Sequence, residues 1–152
     1  MTETKQNTSF TAVANLLRAQ ALIQERFSGE LGSVHGLALT EALLLMHLEH
    51  APLHRLTRVE LAKRLHASPS TVTRMALPME KTGLVARQSD PRDARLAYVV
   101  LTESGAAIAE EIRGTLGHRS TELFRDRWTE AEIETLGRLL GRLTAGEPGQ
   151  LA

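Results

Sequence analysis

The chain has 152 residues, with 18 Lys and Arg balanced by 18 Asp and Glu, and no cysteine. That length suits a single domain with a real core, and the lack of cysteine excludes disulfides, thiolate metal sites and thiol-based peroxide sensing. No apolar run approaches the ~18 residues of a membrane span, and the start lacks a signal-peptide apolar region. A cytoplasmic protein without a membrane partner is expected.

In chain order, Thr2 to Ser9 read as a loose polar end. Val13, Leu16, Ile23 and Phe27 then follow a heptad-like helical spacing, with Gln20 interrupting it. Thr40 is placed to cap a second helix through Leu43, Leu44, Met46, His47 and Leu48, ended by Pro52.

Residues 57–102 carry the most information. Thr57 and Glu60 have capping-box spacing for a short helix, with Val59, Leu61, Ala62 and Leu65 as its apolar side. Ser68 caps the next helix and Pro69 occupies its first position, where a missing N–H costs nothing. His66, in the turn between them, belongs to a residue type tolerant of positive φ. Val72, Met75 and Met79 should face inward, leaving Ser70, Thr71, Thr73 and Arg74 outward as candidate donors to base edges and phosphates. Gly83 closes that helix, Leu84, Val85 and Ala86 begin a strand, and residues 96–101 return it. The connection from Ser89 to Arg95 is a turn carrying Arg92 and Arg95, suited to the minor groove or to a phosphate, with Asp93 expected to pair with an arginine. Helix, turn, helix and Arg-rich hairpin in this order are the layout of a winged helix-turn-helix.

Thr102 can cap a long helix through Ile108, Ile112, Leu116 and Leu123. Its Gly114 and Gly117 each cost roughly 1 kcal/mol and suggest a bend or a close helix approach. Thr129 and Glu132 form a second capping box, Trp128 and Ile133 a staple, and Ile133, Leu136, Leu140 and Leu143 an apolar stripe. Ala145 to Ala152 read as a second loose end. Apolar stripes at both ends point to dimerisation.

Charge follows this division. Residues 55–95 carry a net +5, while residues 1–54 and 96–152 carry −2 and −3. Positive charge therefore collects on the proposed DNA-binding lobe.

Four fragments in order resemble the MarR family of bacterial transcriptional regulators, named for multiple antibiotic resistance: S-x-S-T-V-T-R (Ser68–Arg74), E-K-x-G-L-V (Glu80–Val85), D-x-R (Asp93–Arg95) and L-T-E-x-G (Leu101–Gly105). The resemblance extends more loosely over nearly the whole chain. It implies a mainly α (α+β) fold: a winged helix-turn-helix over 55–102 and long terminal dimerisation helices over 10–54 and 103–144, all within one domain, 1–152. It implies a homodimer on a palindromic double-stranded DNA operator, usually repressing, often released by a small aromatic or phenolic ligand. The DNA contacts carried over are Ser68, Ser70, Thr71, Thr73, Arg74, Arg92, Asp93 and Arg95. His35, Met46 and His47 are the candidate ligand residues, chosen by position on the first two helices. Two departures stand out: Pro78 within the recognition helix, where a kink is expected, and Ala94 at a wing position that is often basic.

No phosphate loop, H-E-x-x-H or nucleophile motif is present, so an enzyme is not expected, nor is a cofactor. Two alternatives stay open. His47, His50 and His54, with His35 and His118, suggest a metal-responsive regulator, although Pro52 breaks their register and no dedicated metal site is assigned. A winged-helix module that binds protein is the other.

Overall fold

The computed structural model describes residues 2–93, 95–149 and 151, with side chains from residue 6 onward. Ala94, one of the two departures noted above, lies outside the described residues. The chain divides into two compact units, Met1–Leu39 and Thr40–Ala152.

The first unit is one helix, α1 (Thr2–His35). It runs through the segment expected to be loose, Thr2 to Ser9, since no proline or glycine interrupts residues 2–28. Gly36 ends it at φ +66°, the left-handed position that glycine adopts without a Cβ clash. The expected apolar positions split: Val13 is exposed, whereas Leu16, Ile23 and Phe27 are half-buried.

The second unit holds α2 (Leu39–Glu49) from its second residue onward, β1 (Arg55–Thr57), α3 (Arg58–Arg64), α4 (Pro69–Lys81), β2 (Val85–Ser89), β3 (Ala97–Leu101), α5 (Glu103–Phe124) and α6 (Glu130–Leu143). α2 begins before Thr40, so that residue lies in its first turn rather than capping it. Strand β1 had no sequence signal of its own. It pairs antiparallel with β3, which pairs antiparallel with β2, giving the order β1-β3-β2. The fold is thus mainly α, with six α-helices and a small antiparallel sheet among the described residues, as expected.

The core gathers Leu44, Leu45 and Leu48 of α2, Leu61 of α3, Val72 and Met79 of α4, Val85 and Val99 of the sheet and Ile112 of α5. Each such side chain contributes about 1.5–3 kcal/mol when fully buried, so these contacts outweigh any single cap in setting helix positions. Val59 departs from the expected apolar side of α3: it is 54% exposed. Leu61 and Ala62 take the burial.

Helix ends follow the sequence closely. Thr57 donates its backbone N–H to the Glu60 carboxylate (2.7 Å) and accepts from the Glu60 N–H (3.2 Å). Thr129 and Glu132 repeat this at α6. Trp128, just outside that box, meets the Phe124 ring edge-on at 5.5 Å. α4 continues through Pro78, which is exposed, to Lys81.

One glycine is demanded by packing. A Cβ on Gly105 would lie 1.9 Å from the Leu84 carbonyl oxygen, so the first turn of α5 touches the entry to β2 at backbone distance. A Cβ on Gly114 or Gly117 would meet nothing within 4 Å among the described residues, so no close approach seen there explains them. Gly105→Ala should therefore lower unfolding stability by ~3 kcal/mol through overpacking, while Gly114→Ala should raise it by about 1 kcal/mol. Urea titration of both variants checks the contrast, which equal effects would contradict.

Candidate nucleic-acid interface

The helix-turn-helix is fixed by its turn. His66 sits at φ +49°, and Ala67 donates its N–H to the Ala62 carbonyl (2.9 Å), so histidine does here what glycine does elsewhere. Ser68 caps α4 by accepting the Thr71 N–H at 3.2 Å. Its hydroxyl also lies 2.9 Å from both Ser70 Oγ and Thr71 Oγ1. Three of the expected contact residues thus form one hydroxyl cluster on the opening turn of α4, with Ser70 exposed and Thr71 half-buried.

Thr73 is used internally. Its hydroxyl donates to the Pro69 carbonyl (3.0 Å) and accepts from Arg58 Nη1 (3.2 Å). Its single proton is spent on its own helix, which leaves none for an outside acceptor. Arg74 is exposed on the next position of α4. Val72, Ala76 and Met79, all buried, fasten the opposite face, so the orientation of Arg74 is set by the core.

At the far end of α4, Gly83 adopts φ +78° and Leu84 donates its N–H to the Met79 carbonyl (2.9 Å), a helix stop that turns the chain into β2. Arg92, Asp93 and Arg95 lie exposed in the turn between β2 and β3. Asp93 was expected to pair with an arginine side chain; it accepts instead from the Arg95 backbone N–H (2.9 Å) and forms no ion pair among the described residues. The stiffening falls to Asp90. Its carboxylate accepts the N–H groups of Arg92 (2.7 Å) and Asp93 (3.1 Å) and the Tyr98 hydroxyl (3.1 Å). These bonds, the one from Arg92 first, hold the Asp90 carboxyl below its ordinary pKa. The Arg55 guanidinium lies 4.4 Å over the Tyr98 ring and donates to Gln88 Oε1 (3.0 Å), linking all three strands. The Asp90-Pro91 pair was a turn signal for this Asx arrangement. The Arg55–Tyr98 contact depends on β1, and was missed with it.

The candidate ligand residues fall in different units of the chain. His35 ends α1 in the first unit and is half-buried; Met46 and His47 are buried neighbours on α2. His47 is 3% exposed, and its Nδ1 has no hydrogen-bond partner among the described residues. Gly149 packs close to its Cε1 and to the Arg64 side chain, so this part of the terminal segment, expected to be loose, is seated on the second unit. Burial, then Arg64 and His50, lower the His47 pKa to about 4. His50 and His54 each place Nδ1 2.9 Å from a backbone carbonyl, of Met46 and Glu49 respectively. Among the described residues no group of three His, Asp or Glu could hold a metal ion. No single described helix is long and apolar enough to cross a membrane.

A helix-turn-helix fastened to a buried core, followed by an Arg-tipped hairpin, defines a winged helix-turn-helix protein. Residues 37–96 match the model of the MarR family. The HTH-type transcriptional repressor YetL of Bacillus subtilis is 32% identical over 114 residues, covering 72% of this chain and 67% of YetL. The chain belongs to the MarR family. Two further curated regulators match at 35% identity, and the chain spans 56% and 62% of their lengths, less than two thirds. Among solved structures, a mutant of Escherichia coli MarR complexed with operator DNA is 27% identical with a TM-score of 0.71, covering 88% of this chain and 96% of that one. Bordetella bronchiseptica BpsR, whose DNA binding is regulated by 6-hydroxynicotinic acid, is 22% identical with a TM-score of 0.75, over 88% and 93% of the two chains; that likeness is one of fold.

The lowered His47 pKa sets a pH dependence. Its imidazole is neutral in the folded chain down to pH about 4, whereas the unfolded chain protonates it near 6.5. Below pH 6.5 the unfolded state therefore binds more protons, and stability falls with acidification until about pH 4. Between pH 7 and 4.5 the wild type should lose up to about 2.5 kcal/mol more than His47→Gln, measured by urea unfolding at both pH values. Equal losses would contradict the burial of a neutral His47.

Proposed function

We propose that this chain is a homodimeric, sequence-specific DNA-binding transcriptional repressor that reads a palindromic operator. The observation that carries the reading is the outward placement of Arg74 on a core-fastened α4, beside a wing whose tip presents Arg92 and Arg95 on a turn knotted by Asp90. Membership of the MarR family, the regulators it resembles and the operator complex of its MarR relative support the same function. They equally support a regulator rather than an enzyme. Repression is the finer part, supported by the name YetL carries.

In this reading, residues 55–102 form the DNA-binding lobe and residues 10–54 and 103–144 the dimerisation region of one domain. α6 supports a dimer: it has no buried residue, and Leu139, Leu140 and Leu143 lie exposed along it. α1 likewise exposes Phe10, Val13 and Leu17. Apolar stripes of this kind gain only when a second surface covers them. A two-fold pair would present two α4 helices to half-sites about one helical turn, ~10 base pairs, apart.

Arg74 reads a base edge in the major groove, and Arg92 and Arg95 hold the backbone or the minor groove. Ser68, Ser70 and Thr71 dock a phosphate, and Asp93 shapes the wing turn. A small aromatic or phenolic effector releases the operator; the regulation of BpsR by 6-hydroxynicotinic acid is the likeness behind it, with His35, Met46 and His47 as the residues to vary first.

The test compares Arg74→Ala with Arg92→Ala on a duplex selected by the wild-type protein from a random-sequence library. Arg74→Ala should cost about 1–3 kcal/mol and relax preference at one base per half-site. Arg92→Ala should weaken selected and unrelated duplexes together and reduce the slope of log K against log salt by roughly 0.9 for every phosphate it no longer neutralises. Unchanged preference in Arg74→Ala would contradict the placement of α4.

A further inference from the structure

We infer that Arg58 forms a DNA-phosphate subsite of its own, outside the recognition helix and the wing, with Thr73 as the residue that positions it. The inference rests on the DNA-binding reading above. Arg58 is the first residue of α3, and nothing in the sequence pattern sets it apart from a solvated arginine. In the fold it crosses to α4 and donates Nη1 to Thr73 Oγ1 at 3.2 Å. Thr73 is in turn held by its own donation to the Pro69 carbonyl at 3.0 Å. The guanidinium is therefore tied to the recognition helix by one bond while its remaining N–H donors are uncommitted among the described residues.

The surroundings select the partner. Arg58, Val59, Pro69, Ser70 and Thr73 line one open depression on the surface of the lobe. It contains a cation, two hydroxyls and two apolar side chains, and no carboxylate. Glu80 lies along the neighbouring cleft, yet makes no ion pair with Arg58 among the described residues. Such a set fits a phosphodiester: Arg58 and the exposed Ser70 hydroxyl meet its oxygens, and Val59 and Pro69 meet the adjoining sugar. It also accounts for a valine left more than half exposed on a helix that buries Leu61 and Ala62. A base edge would be a poorer match, because the Thr73 proton is already spent and the Arg58 fork is held from one side.

Because the contact is to backbone, it should be blind to sequence. Arg58→Ala, Arg58→Lys, Thr73→Val and the double variant Arg58→Ala/Thr73→Val would be titrated against the selected duplex and an unrelated one across a salt series. Thermal melting of each variant without DNA would accompany the titrations. Arg58→Ala should weaken both duplexes by about tenfold and lower the salt slope by roughly 0.9 for each phosphate left without its cation. Arg58→Lys should keep the wild-type slope while losing part of the affinity, because an ammonium cannot bridge Thr73 and phosphate as a fork does. Thr73→Val should weaken binding when Arg58 is present and change nothing when it is alanine, a coupling that a purely structural role for Thr73 would not give. If Arg58→Ala melts early, the comparison of Arg58→Lys with Thr73→Val decides the matter. Wild-type affinity and slope in Arg58→Ala, a loss confined to one base position, or additive effects of the two substitutions would overturn the subsite while leaving the DNA-binding reading intact. A wild-type protein that selects no duplex at all would overturn both.

Discussion

The contact between Gly105 and the Leu84 carbonyl oxygen is the constraint on which the DNA-binding lobe depends. Three elements meet there: the end of α4, the start of β2 and the first turn of α5. Gly83 turns the chain at φ +78°, and Leu84 returns its N–H to Met79. The Leu84 carbonyl then receives the Thr102 N–H at 3.2 Å, while the Thr102 hydroxyl, 2.5 Å from the Gly83 carbonyl oxygen, accepts from the Gly105 N–H. Two adjacent backbone carbonyls are satisfied by one helix cap, and a side chain on Gly105 would block the approach. Recognition helix, wing and long helix are thereby locked at one point. A shift of α5 would reach α4 and the wing together, which gives a route from a change near the long helices to the DNA-reading surface.

A second theme is economy of polar groups around α4. Ser68, Ser70 and Thr71 share one cluster, Thr73 anchors Arg58, and Asp90 collects three donors at the wing. These groups are partly consumed in holding the surface rigid. Preorganised side chains lose less entropy on binding, so rigidity converts into affinity. Arg74, Arg92 and Arg95 lie exposed beside these held groups.

Much of this was legible in the sequence where a local rule decided the outcome. Capping boxes at Thr57 and Thr129, Pro69 at a first helical position, positive φ at His66 and the Gly83 stop depend on neighbours within a few residues, and each stands where its pattern placed it. Features set by distant partners were not legible. β1 is three residues long and exists because β3 is beside it. Arg55, Tyr98 and Gln88 meet only through that pairing, which also brings the Tyr98 hydroxyl to Asp90. Val59 left its expected apolar side for the same reason: which face a short helix buries is decided by packing across the turn. Gly114 and Gly117 looked like packing glycines, whereas the demanding one was Gly105, whose neighbour Leu84 lies well back along the chain.

The central proposal is that α4 enters the major groove while the wing holds the backbone or the minor groove beside it, twice, across a two-fold axis. Dimethyl sulfate reads both grooves in one experiment, since it attacks guanine N7 in the major groove and adenine N3 in the minor groove. With the duplex selected by the wild-type protein, two clusters of guanine N7 protection about one helical turn apart are predicted, and any adenine N3 protection beside them should disappear in an Arg92→Ala/Arg95→Ala variant. A single protected cluster, or protection confined to the minor groove, would contradict the account.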